Sequence, residues 1–214
     1  MGRIEIICSY LDDCQSFADV GCDHGYCTLN AFNSGKCKTA VISDVSAKCL
    51  AKAQTLLKQY IDSGVCKSVC CDGLKGIPKD TEQVLIAGMG GMEIIKILKE
   101  GFIPQKFVLQ PMKNCKLVRE YLLDNGCKLT VDDMFYDGKY YFIIKGERSE
   151  NSQKYSNLEL YFGRDSLKNP LFKEYAQAEI EKKESFLANC SKEARTALQG
   201  EISLYKKAKD IYDL

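Results

Sequence analysis

Short apolar runs alternate with amphipathic stretches along residues 1–148, and this alternation restricts the fold more than any other feature of the chain. The runs at 16–20, 39–43, 65–70, 83–87, 106–109, 127–134 and 140–145 have the length and composition of strands. Between them, 3–11, 26–33, 46–60, 92–100 and 113–125 carry helical spacing, with glycine or proline at many joints. Strands separated by helices require right-handed crossovers, so the sheet is expected to be mostly parallel. The end differs: Asp137-Gly138 between FY and KYYFIIK is a hairpin signal, so the last two strands should be antiparallel.

After Gly146 the character changes. Residues 147–157 (ERSENSQKYSN) are polar and are expected to be a linker. Helical spacing follows over 170–189 and 191–212, which fits an antiparallel, coiled-coil-like hairpin. The expected organisation is a ligand-binding α/β domain over 1–148 and a linker plus hairpin over 149–214. With a formal net charge of +1, nucleic acid is not announced, although a local basic patch is compatible with that total. Twelve cysteines without CxxC spacing and a single histidine do not complete a usual zinc set. The expectation is reduced core thiols, no metal, and a cytoplasmic protein whose N-terminus lacks a leader. No apolar run approaches the roughly 20 residues that span a bilayer.

Acids and glycines fall at strand ends. In ADVGCDHGY, Asp19 ends the first strand of the sheet, Gly21 and Gly25 flank a turn, and Asp23 and His24 lie inside it. The dinucleotide fingerprint G-x-G-x-x-G is not met, because the second glycine is missing. A carboxylate beside the ligand repels phosphates and suits an ammonium or sulfonium, as in S-adenosylmethionine. Asp44, with Val45 after it, ends the second strand, where an acid accepts hydrogen bonds from ribose hydroxyls. Asp72-Gly73 follows the third and can face an adenine amine, or simply form a turn. Ala87-Gly88-Met89-Gly90-Gly91 closes the fourth strand and opens a helix, which suits a floor where donor and acceptor meet. Gln110-Pro111 ends the fifth, and its carboxamide offers donor and acceptor to a base edge.

ADVGCDHGY, DVSAKCLAKA, CDGL, IAGMGG, LQPMKNCKLVREYLLDNG and the terminal hairpin resemble, in order, the bacterial TrmK family. The alternating pattern also suggests the Rossmann-like sheet of class I methyltransferases. The resemblance implies an S-adenosylmethionine-dependent tRNA (adenine-N1) methyltransferase acting on adenine 22. Carried over by position, it implies that Gly21, Asp23 and His24 belong to the cofactor loop and the mouth of the active site, and Asp19, Cys22 and Gly25 are assigned to cofactor binding with them. It further implies Asp44 and Val45 at the ribose, Asp72 and Gly73 at the adenine of the cofactor, and Ala87, Gly88, Met89 and Gly90 beside the transferred methyl. Substrate contact falls to Arg3, Gly91, Gln110, Pro111, Lys113 and Arg119, and chemistry to His24, Asp23 and Gln110. Met112 departs from the family, where asparagine is common after Gln-Pro.

Shape and phosphate recognition of tRNA is expected from Arg3, Lys113, Lys116 and Arg119, and from hairpin lysines 182, 183, 206, 207 and 209. A monomer is expected. The rivals are a methyltransferase of small molecules or proteins, and a non-catalytic module that binds S-adenosylmethionine or tRNA.

Overall fold

The structure is a computed structural model that describes residues 2–151, 153–187 and 191–211. Seven strands form one sheet: β1 (Cys14–Val20), β2 (Cys37–Asp44), β3 (Cys66–Cys70), β4 (Gln83–Met89), β5 (Lys106–Pro111), β6 (Cys127–Tyr136) and β7 (Tyr140–Arg148). Their order is β3-β2-β1-β4-β5-β7-β6. The first five are parallel, and β7 runs antiparallel to both β5 and β6. The alternating runs therefore assemble as expected into a Rossmann-like sheet. The order reverses between β1 and β4, where open α/β sheets form a crevice beyond their carboxyl ends.

The helices before the sheet's last hairpin are α1 (Arg3–Ser9), α2 (Tyr26–Asn33), α3 (Ala47–Leu56), α4 (Lys58–Asp62), α5 (Gly91–Glu100) and α6 (Cys115–Asp124). The predicted helix over 46–60 is two helices, broken at the fully buried Leu57. Helices cover both faces of the sheet. One core gathers Ile7, Phe17, Ile42, Leu50, Leu57 and Ile143, and the other gathers Val20, Ile86, Ile94, Phe107, Leu122 and Ile144. Alternate residues of β7 thus serve opposite faces.

The stretch expected as a linker is more ordered than its composition suggests. Residues 147 and 148 belong to β7, and Gln153 accepts from the Leu129 backbone N–H through Oε1 at 2.8 Å. Ser156 and Glu159 form a reciprocal capping box that starts α7 (Asn157–Phe162), and a 3-10 turn follows at Ser166–Lys168. The two hairpin helices are α8 (Leu171–Phe186) and α9 (Lys192–Ile211). They do not stand apart from the sheet. Leu158, Phe162, Phe172, Ala176 and Ala208 pack with Met134, Tyr140 and Phe142 of the β6–β7 pair. The predicted helix limits at 189 and 212, and Cys190, lie outside the described residues. The other eleven cysteines carry free thiols. Among the described residues no helix is long and apolar enough to cross a membrane.

Candidate active site

A cavity of about 360 Å³ opens at the carboxyl ends of the strands, at the reversal point. Gly21 and Asp23 from the β1–α2 turn, Asp44 at the end of β2 with Val45 after it, and Asp72 and Gly73 after β3 line it. Ala87, Gly88 and Met89 from β4 form another wall, and Arg3 reaches it from α1. Each predicted acid-bearing strand end except that of β1 therefore converges on one space.

The β1–α2 turn is tight. Gly21 has φ +72 and Gly25 has φ +78, and Asp23 itself sits in the left-handed region at φ +46. Aspartate tolerates that region better than most residues, and strained backbone of this kind gathers at functional turns. The strain is held by hydrogen bonds. Asp23 N donates to Asp44 Oδ2 at 3.2 Å, and Ser46 N donates to Asp44 Oδ1 at 2.8 Å. The Asp44 carboxylate is thus fixed by two backbone donors, and each oxygen keeps a further acceptor site for a ligand hydroxyl.

Glycines open the rest of the wall. A Cβ on Gly88 (φ +79) would meet no protein atom within 4 Å and would project into the cavity it lines. A Cβ on Gly21 would collide with Met89 Cε. The thioether of Met89 therefore covers Gly21 at the reversal point.

The lining carries Asp23, Asp44, Asp72 and Glu93 against one guanidinium, that of Arg3. Asp72 is partly engaged, since Lys75 Nζ donates to its Oδ2 at 3.0 Å and holds its carboxyl below the usual range. Such a lining fits a cationic or zwitterionic nucleoside and disfavours a pyrophosphate. S-adenosylmethionine meets that description, so the residues present fit the group.

Other predicted residues lie off the cavity. Asp19 is buried behind the turn and accepts from Thr28 Oγ1 at 2.8 Å, and burial raises its carboxyl to about 6. Cys22 is buried and contributes a backbone N–H to Ser43 O at 3.0 Å. Gly25 is the N-cap of α2, and a Cβ there would sit 3.0 Å from Ala53 Cβ and Leu57 Cδ1. Gly90 is the N-cap of α5, beneath the Lys113 side chain. Gly91 is buried because Lys113 O and Asn114 O approach to 2.6 and 2.8 Å of where a Cβ would be. The close backbone approach of the β5–α6 turn explains this glycine.

Gln110 is fully buried beside Ala87 in the sheet. Its Nε2 donates to Pro111 O at 3.2 Å and meets Met112 Sδ at 3.5 Å, while Oε1 has no partner among the described residues. It does not reach the cavity, and Pro111 is buried over it. Met112 therefore takes the place next to the carboxamide that a polar residue would occupy. Lys113 is exposed at the rim.

Arg119 is the clear correction. It is 0% exposed, and its Nε donates to both oxygens of Asp132 at 2.8 and 2.9 Å. Nη1 donates to Leu160 O and Tyr161 O. It joins α6, β6 and α7 and cannot touch RNA. Its position in the helix after Gln-Pro gave no sign of burial, because Asp132 and α7 arrive from later in the chain.

His24 lies at the rim, outside the lining. Its Nε2 is 3.3 Å from Lys52 Nζ and 3.7 Å from Asp23 Oδ2. An ammonium only donates, so the imidazole nitrogen accepts from Lys52 and is not a free base. Sequence reasoning missed Val20, Ser43, Cys71, Glu93 and Ile97, which complete the lining. Ser43 and Cys71 each precede a predicted acid, and Glu93 lies in the first turn of the helix opened by the glycine run, so their proximity was readable and their direction was not.

The model of the family described as "tRNA (adenine(22)-N(1))-methyltransferase", TrmK, matches residues 17–208. The chain belongs to the TrmK family. It is 27% identical over 171 residues to the tRNA (adenine(22)-N(1))-methyltransferase of Bacillus subtilis, a match covering 75% of this chain and 70% of that protein. A Streptococcus pneumoniae protein solved in complex with S-adenosyl-L-methionine superposes with a TM-score of 0.87 at 26% identity, over 97% of this chain and 98% of that one. M. capricolum TrmK bound to S-adenosyl-homocysteine has the same fold, with a TM-score of 0.89 at 22% identity over 98% and 97% of the two chains. As a TrmK member the chain is an S-adenosylmethionine-dependent methyltransferase of adenine N1 in tRNA.

Proposed function

We propose that the cavity between the carboxyl ends of β1, β2 and β4 holds S-adenosylmethionine, and that the chain uses it to methylate N1 of adenine 22. The observation that carries this reading is the fixed Asp44 carboxylate facing an acidic, glycine-walled cavity. When bound, the cofactor supplies a methyl group on a sulfonium. Asp44 holds the ribose hydroxyls through the acceptor sites its two backbone donors leave open. Asp23 supplies negative charge toward the ammonium-bearing end, and Val45, exposed by 72%, offers apolar surface to the nucleoside. Gly88 leaves the space that a side chain would fill.

Adenine N1 is a weak nucleophile that is normally turned toward a pairing partner, so the base must be extruded first. Positive charge then develops on the ring. The acidic lining as a whole favours that charge without a proton having to be removed. His24 is the residue best placed at the rim to meet the substrate, and its role is contact, because Lys52 already engages its Nε2. Arg3 reaches from α1 into the lining, with its guanidinium 5.4 Å from the Tyr141 ring centroid. Among the described residues it supplies the only cationic charge in that lining, and it faces the approaching RNA backbone.

The test is direct. Purified protein is incubated with S-adenosylmethionine and a tRNA transcript carrying adenine 22, and digested RNA is analysed for 1-methyladenosine by mass spectrometry. Product with that transcript, and none when guanine replaces adenine 22, is expected. Methylation of both transcripts would overturn the assigned position, and methylation of neither would overturn the function.

A further inference from the structure

Three side chains beside the cavity are accounted for neither by the cofactor nor by the core. His24 and Tyr26 flank Gly25 in the β1–α2 turn, and their rings lie nearly parallel, with centroids 5.5 Å apart and planes 13° apart. Tyr26 is 52% exposed. Its neighbours on α2, Cys27, Leu29 and Phe32, pack against the core, and Tyr26 does not. Among the described residues its hydroxyl makes no hydrogen bond. An exposed aromatic ring at the mouth of a site, with no packing role, is free to meet a ligand.

The ring is also held ready. Lys52 Nζ donates to His24 Nε2 at 3.3 Å, which restrains the imidazole that backs the tyrosine. Lys52 is exposed and has no carboxylate partner among the described residues. None of the three lines the cavity proposed for the cofactor. A planar face with a cation beside it matches a base attached to a phosphate.

The geometry points to Tyr26 as the stacking platform for an unstacked base of the tRNA, with His24 backing the ring and Lys52 meeting the adjoining phosphate. This rests on the reading that the chain acts on tRNA. Stacking a base on an aromatic ring tolerates any base and needs only a π face, so the platform adds affinity without altering the choice of position. It also answers an energetic need, because extrusion of a base costs a few kcal/mol unless the enzyme replaces the lost stacking.

The experiment uses the full chain and tRNA transcripts carrying 2-aminopurine at position 22 or at a neighbouring position. Tyr26→Ala and Tyr26→Phe are compared with wild type for tRNA affinity, probe fluorescence, S-adenosylmethionine affinity and melting temperature. Tyr26→Ala is expected to weaken tRNA binding by about tenfold to a hundredfold. The fluorescence of the bound probe should differ from that in the wild-type complex, since the ring that stacks on it is gone. Tyr26→Phe should behave as wild type, and cofactor affinity and melting temperature should not move. The probe position that responds identifies the base. Unchanged tRNA affinity and fluorescence in Tyr26→Ala overturns the platform while leaving the methyltransferase reading intact. A loss of tRNA affinity matched by a fall in melting temperature assigns Tyr26 a structural role and also overturns it. Wild-type protein that does not bind tRNA overturns both.

Discussion

Asp19 shows how one residue can be correctly singled out and wrongly placed. It ends β1 as expected, but its carboxylate points into the protein and meets Thr28 instead of the cavity. Burial raises its carboxyl from 3.8 to about 6. The folded state therefore binds this proton more tightly than the unfolded state. Its unfavourable contribution is absent below the unfolded value near 3.8, grows as pH rises toward 6, and is fully present above it. Asp19→Asn keeps an acceptor for Thr28 and removes the charge. The variant without cofactor should be more stable than wild type at pH 8, by on the order of 2 kcal/mol, with the gap closing toward pH 4. Urea unfolding at the two pH values measures it. An equal gap at both, or a destabilised variant at pH 8, would sink this account.

Among the elements, α7 had a readable start signal, S-x-x-E at Ser156–Glu159, hidden in a polar stretch. What α7 does was not readable. Its carbonyls at Leu160 and Tyr161 receive Arg119, whose other nitrogen grips Asp132 on β6. Burial pushes the Asp132 carboxyl up against the pull of that guanidinium. The pair is a joint between helices and sheet, and removing one partner leaves a buried charge alone. Arg119→Ala should cost roughly 3–5 kcal/mol of stability. The protein that remains folded at low temperature should bind S-adenosylmethionine with unchanged affinity. Chemical denaturation and calorimetric titration separate the two effects. Loss of tRNA affinity with full stability would instead restore a direct role in binding RNA.

Across the molecule, the lysines divide into two groups that sequence could not distinguish. On the terminal hairpin, Lys182, Lys183 and Lys206 are paired with Glu179, Glu201 and Glu184, Lys209 donates to Gln177, and exposed Lys207 alone of the five has no carboxylate or amide partner among the described residues. On the side of the cavity, Lys113 covers Gly90, and Lys139 stands 5.2 Å from the Tyr141 ring centroid that Arg3 also meets; neither has a carboxylate partner among the described residues. The mouth should therefore carry the electrostatic attraction for tRNA. Replacing Lys113 and Lys139 by Gln should flatten the dependence of log affinity on log salt by about one unit for each phosphate no longer neutralised. Replacing Lys182 and Lys206 by Gln should leave the slope as it is. The opposite result would assign RNA binding to the hairpin.

Period and punctuation were legible in the chain because they depend on neighbours in sequence. The strand–helix alternation, the Asp137-Gly138 hairpin and the acids at the ends of β2 and β3 emerge in the structure where local pattern put them. The direction of a side chain relative to later parts of the chain is not a local property. Asp19 and Gln110 turned inward, Arg119 found Asp132, and Lys182, Lys183 and Lys206 found glutamates on their own or the facing helix. Packing a finite core decides which polar groups are covered, and only the folded chain brings those distant partners together. The sequence by itself thus determined the sheet, the acidic cavity and its ligand class. The tertiary structure decided which charges face the ligand and which hold the fold.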